Sequence, residues 1–419
     1  MLKTLFHRAH SSVAVRGISA ISFMKYFTKF LTLVRLAIIA RILGPEQLGL
    51  FGLSVLVISV TEVFTETGIN VVLLKQPKKF AWYYDTAWVV SLFRGTLISL
   101  GILLCAPLLA QFYDQPSLTY YLSIAAIIPF LRGFINPAIV QFQQRLQFER
   151  ESALRIGVQV IDLVLGGVLA IWLQNGIGLL LGIAAAVVAE VILSFSLFPE
   201  RPNLLKAQWS RVVSLFQESK YIIGTSIVHY LTENIDDFLI GKYLGFTALG
   251  FYQTAYKLAS AATMDFGSIV GQTLYPMYAQ KVERKKSITK TWQFSVVALT
   301  VVFLFAAVPF LFFTQPLVYF VLGEEWLVVT PIVRILFLAG VAKAFITSWN
   351  PLSILANNLQ HHFVMNIIMM FVLILGIVFL APRYGLPGAS WAVFFAFVVV
   401  HPYAWFVLRQ ALRRISHAR

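Results

Sequence analysis

Apolar residues run in stretches of about twenty or more along the chain, separated by short clusters of charge, proline or amide. At about 1.5 Å of rise per residue, such a stretch crosses the roughly 30 Å hydrocarbon core as a helix, the form that satisfies every backbone polar group internally. The pattern predicts twelve spans, in two sets of six. The first set lies near Gly17–Leu43, Gln47–Ile69, Thr86–Ala110, Leu118–Val140, Arg155–Leu173 and Ile177–Phe198. The second lies near Tyr221–Gly241, Ala248–Tyr278, Trp292–Thr314, Leu327–Asn350, Phe363–Ala381 and Leu386–Leu408. The expected fold is all-α and polytopic. The first sixteen residues carry Lys3, Arg8 and Arg16 without an apolar core of the usual length, so they do not read as a cleavable leader.

Composition agrees with this pattern. Of 419 residues, 59% are hydrophobic and 12% charged, about half the charge of a soluble globular chain. One cysteine, Cys105, excludes a disulfide scaffold. The net charge of +15 would suggest nucleic acid in a soluble domain, but here the loops account for it. Of the 33 lysines and arginines, 22 fall at the N-terminus, in alternate loops and in the tail, and only Arg41, Lys242 and Arg383 fall in the opposite loops. The positive-inside rule then puts both termini in the cytoplasm, with no nucleic-acid partner required. The longest loop, residues 200–220, separates an N-terminal lobe (1–199) from a C-terminal lobe (221–419). No loop is long enough to fold alone, so any site must be built within the helices.

The lobes carry an internal repeat. Arg41, Leu43, Gly44, Leu48, Gly49 and Phe51 match Lys242, Leu244, Gly245, Leu249, Gly250 and Tyr252 at a constant offset of 201, four of the six being identities. Asn136-Pro137 with Leu146-Gln147 echoes Asn350-Pro351 with Leu359-Gln360, each Asn-Pro pair read as a helix end. Six spans, an even number, separate the copies, so the halves are predicted to be parallel six-helix repeats around a central cavity.

At these residues the chain resembles the polysaccharide flippases of the multidrug/oligosaccharidyl-lipid/polysaccharide superfamily, in particular the O-antigen and exopolysaccharide repeat-unit exporters. Ala40, Arg41, Gly44, Pro45, Glu46 and Gly49 are similar to that family's first-hairpin turn. Asn234, Asp236, Asp237, Gly241, Lys242, Gly245, Gly250, Tyr252, Tyr256 and Lys257 resemble its seventh-to-eighth-span signature, and Gln144–Phe148 its basic loop after the fourth span. Residues 356–362 lack the basic character often seen in the second half. The resemblance implies export of a polyprenyl-diphosphate-linked oligosaccharide to the outer leaflet of the cell inner membrane. Membrane lipids are implied neighbours, with a polysaccharide polymerase and other assembly proteins as candidate partners.

Eight basic residues lie within the spans: Lys25, Lys29, Arg35, Arg94, Arg132, Lys257, Arg334 and Lys343. Charge at membrane depth is costly and marks either a polar cavity or an internal partner. Lys25, Arg94 and Arg132 share an inner depth, about 12 Å from the cytoplasmic end, with Glu62, Asp162 and Glu190. As a cavity floor these bases would bind diphosphate, with Arg94 and Arg132 foremost and Lys25, Lys29 and Arg35 behind them. As ion pairs they would cancel the three acids, and Lys25 could also snorkel to the interface. Glu62, Glu66 and Asp237 are candidates for coupling to a proton or cation. In the second half, Asp236, Asp237, Lys257 and Arg334 are expected to form an ion-pair cluster joining the seventh, eighth and tenth spans.

Nothing in the sequence requires a metal, a nucleotide loop or any cofactor, and no nucleophile motif is present, so a transporter is expected and not an enzyme. His361-His362 reads as a polar loop. Two alternatives share the composition: a cation-coupled multidrug antiporter and a membrane polysaccharide polymerase or ligase. The topology is directly testable. A reporter fused after Arg419 should be active only in the cytoplasm, and periplasmic activity there would overturn the orientation.

Overall fold

The computed structural model describes residues 27–28, 30–64, 80–263, 274, 277–281, 288–355 and 359–417. The described residues form a succession of long helices. In chain order they are α1 (Phe30–Ala40), α2 (Pro45–Phe64), α3 (Phe80–Phe112), α4 (Ser117–Gly133) and the short α5 (Pro137–Gln144). There follow α6 (Phe148–Leu173), α7 (Ile177–Leu197), α8 (Trp209–Ala262), α9 (Thr289–Leu322), α10 (Thr330–Leu355) and α11 (Leu359–His417). Two of these are hairpins of helices. Gly245 (φ 81°, ψ 178°) breaks α8 and Gly385 (φ 61°) breaks α11, both in backbone conformations that L-residues adopt only with strain. Large apolar side chains face outward along entire helices, as with Phe305 at 79% and Phe320 at 79% exposure on α9. Such a surface is stable only in lipid, and the chain is a multi-pass membrane protein.

Two compact units make up the chain: Met1–Leu43 with Leu50–Ile227, and Gly44–Gly49 with Val228–Arg419. Helix α8 already begins at Trp209, within the stretch that hydropathy reads as a loop. Charge at Arg211 and Lys220 interrupts the hydrophobic run, but helical hydrogen bonding continues through polar residues.

In the first unit, α6 and α7 cross at small residues. A Cβ on Gly178 would lie 2.3 Å from the Ala170 nitrogen, and one on Gly182 would lie 2.2 Å from the Gly166 Cα. Small residues four apart on both helices bring the backbones into van der Waals contact, the main source of helix affinity in lipid. The fourth span is broken: α4 and α5 meet at 70°. Asn136 organises the break. Its Oδ1 accepts from the Ala138 N–H (2.9 Å) and the Tyr84 hydroxyl (2.8 Å), and its Nδ2 donates to the Glu200 carbonyl (3.1 Å). Its own N–H donates to Ser194 Oγ at 3.1 Å. Arg201 donates to the carbonyls of Phe195 and Phe198, the last orphan acceptors of α7, both at 2.7 Å. The segment after α7 is thus fastened to the break and to the start of α3, where the Asn203 N–H meets Asp85 Oδ1 at 2.8 Å. The matching Asn350-Pro351 behaves differently, since Pro351 lies inside the continuous α10. His361 is likewise helical, in the first turn of α11, with its Nδ1 2.7 Å from the Tyr403 hydroxyl.

In the second unit, the segment Gly44–Gly49 meets its own repeat. A Cβ on Gly49 would strike the Phe246 carbonyl oxygen at 2.1 Å, and one on Gly250 the Pro45 carbonyl oxygen at 1.8 Å. Pro45 and Phe246, like Gly49 and Gly250, are 201 residues apart. The contact is reciprocal, each glycine Cα lying against the other copy's carbonyl. Any side chain at either position would have to displace backbone. Gly250→Val is therefore expected to prevent accumulation of monodisperse protein in the membrane, read by fluorescence-detected gel filtration. Gly101→Val, where a Cβ meets nothing within 4 Å, should leave the profile intact.

Candidate functional site

Three of the predicted residues come together in the first unit. Arg132, at the end of α4, directs Nη1 to both carboxylate oxygens of Glu62, at 2.7 Å each. Arg94, from α3, donates through Nη2 to the Glu62 main-chain carbonyl at 2.6 Å. Glu62 stands in the last described turn of α2, where carbonyls lack partners within the helix, so an arginine there is a natural cap. Both guanidiniums thus meet Glu62, Arg132 at the carboxylate and Arg94 at the main-chain carbonyl. The Arg132 side chain is 42% exposed against 23% for Glu62, and its Nε and Nη2 make no hydrogen bond among the described residues.

Arg35 takes a different place. Its Nη1 pairs with Asp162 Oδ2 at 2.5 Å, joining α1 to α6, with side chains only 13% and 14% exposed. The guanidinium also lies over the Phe51 ring, 5.8 Å from its centroid. Gly166, one turn beyond Asp162, leaves the room for this packing: a Cβ there would be 3.1 Å from Arg35 Nη2. Lys25, Lys29 and Glu66 lie outside the described residues. Glu190 is not joined to Arg94 or Arg132 by a hydrogen bond among the described residues and faces Arg155 in a cleft on α7.

The second unit holds a more extended polar group. Glu233 is ion-paired with Lys343, joining α8 to α10, and the ammonium also sits 5.4 Å from the Phe397 ring centroid. Asp236 accepts from the buried Tyr252 hydroxyl at 2.5 Å, and Asp237 from Gln253 Nε2 at 3.1 Å. Both spacings are sixteen residues, with the Gly245 turn near the midpoint. The expected joining of seventh, eighth and tenth spans thus runs through Tyr252, Gln253 and the Glu233–Lys343 pair, among the hydrogen bonds and ion pairs found. Arg334 stands apart from them: its Nε, like the hydroxyl of Thr330 one turn away, is buried without a partner among the described residues. The sequence held a signal for the missed pair. Glu233 precedes Asp236 by three residues on one helix face, and a lysine in mid-span requires an acid.

Residues 38–331 match the family described as polysaccharide biosynthesis protein. The chain belongs to this family. It is 22% identical over 295 residues to the teichuronic acid biosynthesis protein TuaB of Bacillus subtilis, covering 67% of this chain and 59% of that protein. It is 21% identical to the lipopolysaccharide biosynthesis protein WzxC of Escherichia coli, covering 75% of this chain and 64% of that one. The chain thus spans somewhat under two thirds of the length of these relatives. Its fold is that of the lipid II flippase MurJ in an inward closed conformation, with a TM-score of 0.71 at 13% identity over 94% of this chain and 89% of that one.

The two arginine pairs should separate in their effect on stability. Arg35→Ala strands a buried carboxylate and is expected to cost about 3–5 kcal/mol, recovered when Asp162 is changed to Leu in the same chain. Arg132→Ala, at a half-exposed pair, should cost about 1 kcal/mol or less. Thermal unfolding of the purified variants measures both. Equal losses would make Arg132 a structural residue like Arg35.

Proposed function

We propose that this protein is a flippase that moves a polyprenyl-diphosphate-linked oligosaccharide, such as an O-antigen or exopolysaccharide repeat unit, from the cytoplasmic to the outer leaflet. The observation that carries the reading is the group formed by Arg94, Glu62 and Arg132 within a membrane-spanning unit, where Arg132 is part exposed and keeps donors unengaged among the described residues. A sugar diphosphate cannot cross hydrocarbon unaided, whereas its polyprenyl tail is at home there. The protein need only supply a polar path for the head, closed to one side at a time. Arg132 can donate two parallel hydrogen bonds to phosphate oxygens from its remaining nitrogens. Glu62 keeps that charge tolerable when no substrate is present, and gives it up when a dianion arrives. Lys25, Lys29 and Arg35 complete the proposed basic floor, although the Asp162 partner makes Arg35 the weakest member.

The family supports this reading, and so does the excess of basic residues in alternate loops, which favours cytoplasmic termini for a protein of the inner (plasma) membrane. An inside-negative potential of about 100 mV favours outward movement of a doubly charged head by about 4.6 kcal/mol, which can bias export without a coupled ion. The acidic residues of the second unit favour one other reading. Asp237, with Glu62 and Glu66, is a candidate for proton or cation coupling, as a multidrug antiporter would require. A polymerase or ligase is disfavoured by the short outer loops, and the proposed mechanism contains no catalytic step.

Reconstitution tests the proposal. Purified protein in liposomes should make a fluorescent polyprenyl-diphosphate oligosaccharide accessible to a membrane-impermeant quencher. Arg132→Ala should slow this at least about tenfold without loss of folded protein, and Arg132→Lys should recover part of the rate. Exchange of a cationic dye for protons, with no movement of the lipid-linked sugar, would favour the antiporter.

A further inference from the structure

Arg334 is a charge within a membrane span that the rest of the second unit leaves unanswered. It lies four residues into α10, about 6 Å along the helix. Among the described residues no ion pair or hydrogen bond reaches its guanidinium, although the side chain is largely covered and its Nε is buried. Other bases within the spans are engaged: Arg35 by Asp162, Arg132 by Glu62, Arg94 by the Glu62 carbonyl and Lys343 by Glu233. Glu324 and Glu325, in the 3₁₀ turn Glu324–Val329 that precedes α10, are exposed and make no ion pair with it among the described residues. Thr330 repeats the anomaly one turn earlier. It is 7% exposed, and its hydroxyl has no partner among the described residues. A helical threonine ordinarily returns its hydroxyl to the carbonyl four residues back, as Thr300, Thr314 and Thr347 do at Val296, Phe310 and Lys343. At Thr330 that residue is Trp326, inside the 3₁₀ turn, whose tighter winding takes its carbonyl out of register with position 330.

Positions 330 and 334 are i and i+4, neighbours on one face of the helix. A hydroxyl and a guanidinium there offer donors and one positive charge, and their complement is an anion. Phosphate is the anion that a membrane supplies at this depth, since the long stem of arginine carries its head from one turn inside a helix to the headgroup layer. The guanidinium fork can give two parallel hydrogen bonds to phosphate oxygens, and the threonine hydroxyl a third. We propose that Arg334 and Thr330 form a binding site for the phosphate of an anionic membrane lipid. The Nη groups of Arg334 are the primary donors. The lipid's chains have apolar surface at the same end of the unit, where Val328 of the 3₁₀ turn and Tyr319 and Phe320 of α9 are exposed. Trp326, buried edge-on to Phe251 at 5.3 Å, holds that turn against α8. Two kinds of lipid carry the required group, a bilayer phospholipid and a polyprenyl phosphate. The site is independent of the flippase reading, because bilayer phospholipids surround the protein whatever it transports.

The test uses the full chain, purified in a non-ionic detergent, stripped of lipid and titrated with phosphatidylglycerol, a polyprenyl monophosphate or diacylglycerol. Native mass spectrometry counts the lipid retained. One or both of the phosphate-bearing lipids should be held, and diacylglycerol should not. Arg334→Ala should weaken retention about tenfold or more, Arg334→Lys by less, and Thr330→Val, which removes the hydroxyl at nearly constant size, about threefold. The retained lipid should raise the unfolding temperature of the wild type and of Arg334→Lys, but not of Arg334→Ala. Tighter retention of phosphatidylglycerol assigns the site to the bilayer, and tighter retention of the polyprenyl phosphate assigns it to a polyprenyl lipid. Diacylglycerol held as well as either phosphate lipid overturns the site. So does wild-type retention in both Arg334→Lys and Thr330→Val, the two variants that decide if Arg334→Ala fails to fold.

Discussion

An ionised group in hydrocarbon must find a partner or a polar path, and that requirement decides where this structure places its charges. Lipid gives helices little reason to associate, because apolar side chains are equally well solvated on either side of a contact. Polar groups break the tie. Arg35 with Asp162 fixes α1 against α6, and Glu233 with Lys343 fixes α8 against α10. Tyr252 and Gln253 lock the two arms of the α8 hairpin in register through Asp236 and Asp237. Each is worth more for the positions it forbids than for its net free energy, since a misplaced helix would leave a charge unpaired. The Arg132–Glu62 pair differs from these in exposure, with an arginine side chain that remains 42% open.

The chain's gross architecture is legible from hydropathy because lipid imposes one rule on every span. The order of helical segments follows from the apolar runs, and the turn at Gly245 from a glycine in a repeated motif. Boundaries are less legible where polar sequence continues a helix, as at Trp209 and Leu359, because hydropathy reports the membrane and not the hydrogen-bond ladder. Pairing was the hardest to read. Depth along a span aligned Arg132 with Glu62, but it also aligned it with Glu190, to which no hydrogen bond runs among the described residues, since depth says nothing about which face of a helix a residue occupies. The Asn136 network and the Glu190 cleft depend on contacts among segments distant in sequence, and no local pattern encodes them.

The two halves use one dipeptide differently. Asn136-Pro137 breaks a span because four hydrogen-bonding groups converge on the asparagine and stabilise the bend. Pro351 lies within an unbroken helix, where a missing N–H is tolerated by local adjustment. Proline permits a break, and its neighbours decide whether one occurs. The repeat therefore specifies a common plan while leaving each half its own inner face.

The reciprocal seam at Gly49 and Gly250 bears on how such a chain could arise. Equivalent residues touching their own equivalents is the signature of an isologous interface, the kind that joins two identical subunits about a twofold axis. The groups that meet are main-chain carbonyls and glycine Cα atoms, so the contact is indifferent to the side chain carrying the carbonyl. Pro45 can stand opposite Phe246 without loss of complementarity. Two copies of a half could join in this way as separate polypeptides, because the contact asks nothing of the side chains around it. Glycine is what the seam requires at both positions, because no other residue lets the backbones meet.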